Sequence, residues 1–145
     1  MQPTYINWTR FAHRSPNTKI VLSLGGATFD AIWSGLNDSK IESISQAVKT
    51  ALDAKYPAYS GNFARSDEFL GYVTIHGIDL DVELGGQAFS ASMTDSVAKL
   101  IKRLKEVLPA DKLITMATFS VAADPAGACT VPGSAHCGEI IPLME

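Results

Sequence analysis

The sequence predicts an α/β fold, in which parallel strands alternate with helices. Three segments, 19–24, 72–83 and 113–121, are rich in aliphatic and β-branched residues and read as strands. Two segments between them repeat apolar residues at helical spacing. Elements in this order pair their strands in parallel through right-handed crossovers, so we expect the carboxyl ends of the strands along one edge of the sheet.

The first strand and the first helix have clear boundaries. The strand runs from Lys19 to Leu24 and ends in the tight turn Gly25-Gly26. Ser39-Lys40-Ile41-Glu42 has the spacing of a capping box, and Pro57 lies just past the expected helix end. The apolar stripe of this helix consists of Ile41, Ile44, Val48 and Leu52.

The second half of the chain repeats the pattern. A polar segment from Tyr59 to Phe69 is expected to be a loop, Tyr72 to Glu83 a strand, and Gly85-Gly86 to Ser92 the loop above it. A helix is predicted from Thr94 to Leu108, followed by Pro109. Its apolar stripe consists of Val97, Leu100, Ile101, Leu104 and Leu108.

The third strand, Leu113 to Val121, is almost continuously apolar, which predicts cover on both faces. The tail from Ala122 onward is loop-like. Three strands alone would leave unpaired edges, so we expect other residues to complete the sheet, or this chain to be a portion of something larger.

The composition narrows the class of protein. The chain has 145 residues and a net charge of −3, without a clustered basic stripe, which argues against nucleic acid as a partner. No apolar run is long enough to span a bilayer, so we expect no membrane association. The N-terminal residues lack signal-peptide features, and Gly25-Gly26 stands outside any nucleotide-binding motif.

Cys129 and Cys137 flank a turn that contains Pro132-Gly133. A turn of this kind can bring two cysteines within disulfide range. A disulfide would favour a secreted protein, whereas free thiols fit the cytosol, and the sequence leaves both open. Zinc is less favoured because His136 is the only imidazole nearby.

An acidic row carries the predicted chemistry. Side chains of a strand alternate faces, so Asp79, Asp81 and Glu83 share one face. This face leads to the carboxyl end of the strand, where active sites of parallel α/β proteins lie. Three crowded carboxylates should retain a proton, which makes Glu83 a candidate general acid, with Asp81 as its partner and Asp79 deeper in the row. Binding of Mg²⁺ or Mn²⁺ by the same oxygens is the less favoured alternative.

Two motifs resemble family-18 glycoside hydrolases. The segment 77–83, GIDLDVE, resembles that family's Asp-x-x-Asp-x-Asp-x-Glu pattern, and 21–26, VLSLGG, resembles its Ser-x-Gly-Gly strand. The motifs occur in the family's order, with one predicted helix between them. His76 stands where the family pattern begins with Asp, and its parity places it away from the acidic row or at the start of the strand.

The resemblance implies a (β/α)8 TIM-barrel fold, of which this chain supplies only about strands three to five. A full barrel needs about 250 residues. Residues 1–145 would then form a partial glycoside hydrolase catalytic domain, and the remainder of the barrel would come from missing sequence or another chain. A secreted or extracellular location is expected for such a protein.

The resemblance also implies substrate-assisted, retaining hydrolysis of β-1,4-linked N-acetylglucosamine polymers such as chitin, without a cofactor or a metal. Glu83 matches the acid, Asp81 the residue that orients the acetamido group, and Asp79 its inner partner. The alternative is a non-catalytic, chitin- or glycan-binding chitinase-like protein.

The remaining predicted substrate-binding residues are Ser23, Gly25, Gly26 and Trp33. Ser23 either hydrogen-bonds the inner aspartate or is a small residue that fits a crowded interior. Trp33, Phe29 and Tyr59 are candidates for stacking on a sugar ring, with core or loop packing as the alternative, and Phe89 has the same two interpretations.

Overall fold

Four helices and five strands make up the part of the chain that the computed structural model describes, residues 4–26, 29–60, 68–83 and 90–117. The helices are α1 (Thr4–Arg14), α2 (Asp30–Ser34), α3 (Asp38–Asp53) and α4 (Ala91–Val107). The strands are β1 (Val21–Gly25), β2 (Tyr56–Tyr59), β3 (Phe69–Val73), β4 (Gly77–Asp81) and β5 (Leu113–Ala117).

The main sheet has the strand order β1-β4-β5, and both pairs are parallel. The parallel pairing predicted for these three strands is therefore confirmed. The central strand β4 places Ser23 of β1, Asp79 and Thr115 of β5 in one lateral row, because each is the register partner of the next. The barrel itself stays a prediction.

One face of this sheet is covered by α3 and α4, which pack against each other. Their apolar stripes form a core with alternate residues of β4. The core residues from these three segments are Ile41, Val48, Leu52, Ile78, Leu80, Val82, Met93, Val97, Leu100 and Leu104. The other face is open: in β5, the alternate residues Leu113, Thr115 and Ala117 are exposed. The expectation that this strand is covered on both sides is therefore wrong for its described residues.

Both long helices begin at caps that differ from the predicted starts. The side chain of Asn37 caps α3 by accepting a hydrogen bond from the Lys40 amide, so Ser39, the predicted start of the capping box, is already the second residue of the helix. Ser90 caps α4 by accepting from the Met93 amide, which starts the helix earlier than the predicted Thr94.

An ion-pair network joins the outer faces of α3 and α4. Arg103 donates from Nε to Glu42 at 2.7 Å and from Nη1 to Glu106 at 3.0 Å. The hydrogen bonds from Arg103, with a further one from Gln46, lower the pKa of Glu42, and the hydrogen bonds to Glu42 and Glu106 raise the pKa of Arg103. The network is solvent-exposed, so it adds little to stability.

An antiparallel hairpin replaces part of the predicted loop and strand. Strands β2 and β3 pair with each other and pack against α1. The prediction of a loop from Tyr59 to Phe69 is thus wrong at both of its ends, and residues 61–67 lie outside the described part. The single strand predicted from Tyr72 to Glu83 is also wrong, because the chain leaves β3 at Val73 and enters the other sheet at Gly77.

Candidate functional site

The acidic row lies on the open face of the central strand, with the parity that the sequence predicts. The apolar residues that alternate with it are buried, with exposed fractions of 2% for Ile78 and 0% for both Leu80 and Val82. Asp79, Asp81 and Glu83 are only partly buried. Since alternate side chains of extended backbone point to opposite faces, core packing of the apolar set directs the carboxylates to the open face.

The three carboxylates differ in their surroundings. Asp79 lies in the middle of β4, Asp81 is its last residue, and Glu83 follows two residues later at the carboxyl end. The lateral partners of Asp81 are Gly25 and Ala117, which carry no polar side chain. All three carboxylates are partly accessible to solvent, and the strand directs the last two towards its carboxyl end.

Asp79 is held from the side of β5. Thr115 Oγ1 donates a hydrogen bond to Asp79 Oδ1 at 2.6 Å. This distance lies at the short end of the range for a hydrogen bond between two oxygen atoms. Ser23, one of whose two predicted roles is to donate to this aspartate, lies in register on the opposite side of Asp79, but among the described residues Asp79 receives its side-chain bond from Thr115.

Thr115 is the site residue that sequence reasoning misses. Its position follows only from the register of β4 with β5, which pairs Asp79 with Thr115. The sequence contains one indication of this role. Thr115 is the single hydroxyl residue in the apolar run LITMA, and it alternates with the same face as the exposed residues of that strand. A polar residue in an otherwise apolar strand marks the face that is not core.

The Gly25-Gly26 turn brings β1 close to the end of β4. Both glycines have positive φ, at 118° and 93°, a region that residues with a side chain rarely adopt. The Gly26 amide donates to the Asp81 carbonyl oxygen at 2.9 Å. A Cβ at Gly25 would overlap that carbonyl oxygen, and one at Gly26 would lie 3.4 Å from Asp81 Oδ2. The glycines thus leave space around Asp81, and their predicted role in substrate binding stays a prediction.

Trp33 requires a correction. Its side chain is 1% exposed and belongs to the core, where its ring lies directly behind Gly25. A ring enclosed in this way offers no face to a sugar, so the structure makes Trp33 a packing residue and not the predicted stacking platform. Its burial also leaves Nε1 without a hydrogen-bond partner among the described residues.

The other two aromatic candidates lie elsewhere. Phe29 is 57% exposed and follows the glycine turn, where its amide donates to the Gly26 carbonyl oxygen at 2.9 Å. It is therefore near the carboxyl end of β1. Tyr59 is half-buried in the hairpin and makes an edge contact with Phe69. Of the two, Phe29 has the exposure and the position that stacking near the acidic row requires.

His76 lies immediately before β4, which confirms the predicted position at the start of the strand. Its Nδ1 accepts a hydrogen bond from the Ile20 amide at 3.0 Å, and its own amide donates to the Ile20 carbonyl oxygen at 2.7 Å. The Leu113 amide donates to the His76 carbonyl oxygen at 2.9 Å. His76 therefore links the starts of all three parallel strands through hydrogen bonds, and its side chain accepts one of these bonds from a backbone amide.

Several predicted features fall outside the described residues. These are Gly85-Gly86, Phe89, His136, Cys129 and Cys137. Within the described part of the chain, no three histidine, cysteine or acidic side chains are grouped so as to hold a metal ion. In the same part, no helix is both long and apolar enough to cross a membrane.

Comparison with known proteins adds no family assignment: no protein-family model matches the chain, no curated protein matches it, and no solved structure does.

Proposed function

We propose that this protein takes part in the hydrolysis of β-1,4-linked N-acetylglucosamine polymers, such as chitin, through the carboxylates of Asp79, Asp81 and Glu83. The observation that carries the proposal is that the apolar side chains and the acidic side chains of one strand differ in burial. Ile78, Leu80 and Val82 are buried in the core, whereas the three acids that alternate with them are only partly buried. Acids placed at the carboxyl end of a parallel strand are in the usual position for catalysis.

The proposed mechanism gives the chemistry to Glu83 and Asp81, with Asp79 as the inner partner of Asp81. Glu83, the outermost, protonates the oxygen of the leaving sugar, while the substrate's own acetamido oxygen attacks the anomeric carbon. Asp81 orients the acetamido group and stabilises the positive charge that develops on it. Water then opens the cyclic intermediate, and Glu83 takes back a proton, so the configuration at the anomeric carbon is retained.

The resemblance to family 18 supports these roles and supplies the rest of the proposed architecture. Strands β1, β4 and β5 would be strands three to five of a (β/α)8 barrel. The open face of the sheet would then line the interior of that barrel, and strands from further sequence or another chain would complete it. We also propose that the protein acts outside the cell, where chitin and related glycans are encountered.

Release of the chromophore from a chitobiose conjugate tests the proposed reaction. Residues 1–145 alone should turn over the substrate poorly or not at all, because they supply only three strands of the proposed barrel. With the barrel completed, we expect turnover that EDTA leaves unchanged, because the mechanism uses no metal. Glu83→Gln removes the proton donor at nearly constant size, so turnover should fall at least a hundredfold, the scale of general acid catalysis, while oligosaccharide binding persists.

Glu68→Gln is the matched control. Glu68 precedes the hairpin strand β3, where its backbone, not its carboxylate, bonds to Ser60. The control should keep wild-type turnover. If wild type and control cleave no substrate under any condition, or if EDTA abolishes cleavage, the proposed reaction is wrong.

A non-catalytic glycan-binding protein is the second candidate. His76 favours it, since histidine stands where the family's acidic pattern begins. Binding of chitooligosaccharides by wild type and Glu83→Gln with equal affinity, without cleavage by either, would select this candidate.

A further inference from the structure

We infer that Thr115 is a positioning residue for the acidic row: its hydroxyl fixes the orientation of the Asp79 carboxylate. The inference rests on the proposed function for its catalytic consequence. Its structural basis is the 2.6 Å hydrogen bond from Thr115 Oγ1 to Asp79 Oδ1.

The bond is built into the sheet by register. Asp79 and Thr115 are directly paired on neighbouring parallel strands and point to the same face. Threonine has a stiff side chain in a strand, because its Cβ carries two heavy atoms. The hydroxyl is therefore presented to the carboxylate without a large loss of conformational freedom.

The next lateral row provides a contrast. Asp81 is flanked by Gly25 and Ala117, neither of which can donate a side-chain hydrogen bond. Thus one acid of the row has a dedicated donor and its neighbour has none on either strand.

The surroundings of Asp79 contain no competing charge on the flanking strands. Ser23 on β1 and Thr115 on β5 are both uncharged, and α3 and α4 lie behind the opposite face. The described acidic groups that share its face are Asp81 and Glu83 of its own segment. Among the described contacts of Asp79, the Thr115 hydroxyl supplies the side-chain hydrogen bond that fixes its carboxylate.

A pair of substitutions tests the inference. Thr115→Val keeps the shape of the side chain and removes the hydroxyl, whereas Thr115→Ser keeps the hydroxyl and removes a methyl group. We expect Thr115→Val to lower kcat on the chitobiose conjugate roughly 10- to 100-fold, the range for losing a hydrogen bond to a charged group, with KM changed less than about twofold. Thr115→Ser should recover most of the loss.

Rescue by the conservative variant separates this role from simple packing. Loss of the hydroxyl releases the Asp79 carboxylate in Thr115→Val, whereas Thr115→Ser keeps the donor, so kcat should fall in the first variant and return in the second while KM changes little in both. Thr50→Val is the control, because Thr50 uses its hydroxyl only for a bond to Gln46 on the exposed face of α3. Equal loss in Thr115→Ser and Thr115→Val, or an unchanged kcat in Thr115→Val, overturns the inference.

A crystal structure of Thr115→Val decides the positioning role even without turnover. If wild type with its barrel completed does not hydrolyse the substrate, the proposed function fails. The inference then stands only if the Asp79 carboxylate changes its orientation in Thr115→Val and keeps it in Thr115→Ser. An unchanged carboxylate in Thr115→Val refutes it.

Discussion

Replacement of Gly25 by alanine should destabilise the protein strongly, because this glycine lets β1 and β4 meet beside the acidic row. The backbone of Gly25 has φ of 118°. A Cβ at this position would overlap the carbonyl oxygen of Asp81 and lie 2.7 Å from Trp33 Cζ2. The first neighbour is backbone and the second is a buried ring, so neither can move without disturbing the sheet or the core.

The magnitude follows from two terms. A residue with a side chain held in this region of φ costs of order 1–3 kcal/mol. Overpacking against rigid neighbours costs typically about 1–3 kcal/mol more. Together they remove about 2–6 kcal/mol of unfolding free energy, a large share of the roughly 5–15 kcal/mol of a typical domain.

Urea denaturation followed by far-UV circular dichroism measures this loss. With a slope of about 2 kcal/mol per molar urea, a loss of about 4 kcal/mol moves the midpoint down by about 2 M. Gly35→Ala is the control: its φ is −107°, and the atoms nearest a new Cβ are the mobile Lys40 Nζ at 2.7 Å and the Ala31 carbonyl oxygen at 3.1 Å. If Gly25→Ala unfolds at the same urea concentration as Gly35→Ala, the proposed close packing of the turn against Asp81 is wrong.

Substitutions at two further positions test contacts that hold the sheet and the helices around the site. His76→Phe removes the acceptor of the Ile20 amide, so the free energy of unfolding measured in urea should fall by about 1–2 kcal/mol. His76→Asn can present an amide oxygen to the same amide and should lose less. Equal losses in the two variants would contradict the acceptor role. Glu42→Gln should lower the thermal midpoint slightly at pH 7 and not at pH 3. The hydrogen bond from Arg103 lowers the pKa of Glu42 in the folded protein. The stabilisation by the Glu42 carboxylate is therefore present above its ordinary pKa of 4.5 and is lost as the pH falls through its pKa in the folded protein. A midpoint difference that is the same at both pH values would refute that assignment.

The sequence predicts best what depends on periodicity. The alternation from Ile78 to Glu83 places three acids opposite three core residues, and the burial of Ile78, Leu80 and Val82 agrees with it. The stripes of α3 and α4 are likewise read from spacing, because each helix buries one face whatever its exact partners.

The sequence predicts poorly what depends on pairing between distant segments. The β2–β3 hairpin is not evident, since Gly71 and Pro57 resemble loop residues until their partners are known. Trp33 is buried because its ring packs behind Gly25, which is a contact between separate segments. Thr115 reaches Asp79 because β4 and β5 pair in register, although the two residues are 36 positions apart in the sequence. None of these contacts produces a recognisable pattern within a short stretch of the sequence.

The most direct test of the central claim is the anomeric configuration of the first product, followed by proton NMR during cleavage of a chitooligosaccharide. Hydrolysis through the acidic row with participation of the acetamido group predicts that the β-anomer appears first and then mutarotates. Initial release of the α-anomer, or the absence of any cleavage by the wild-type protein with its barrel completed, would contradict the account.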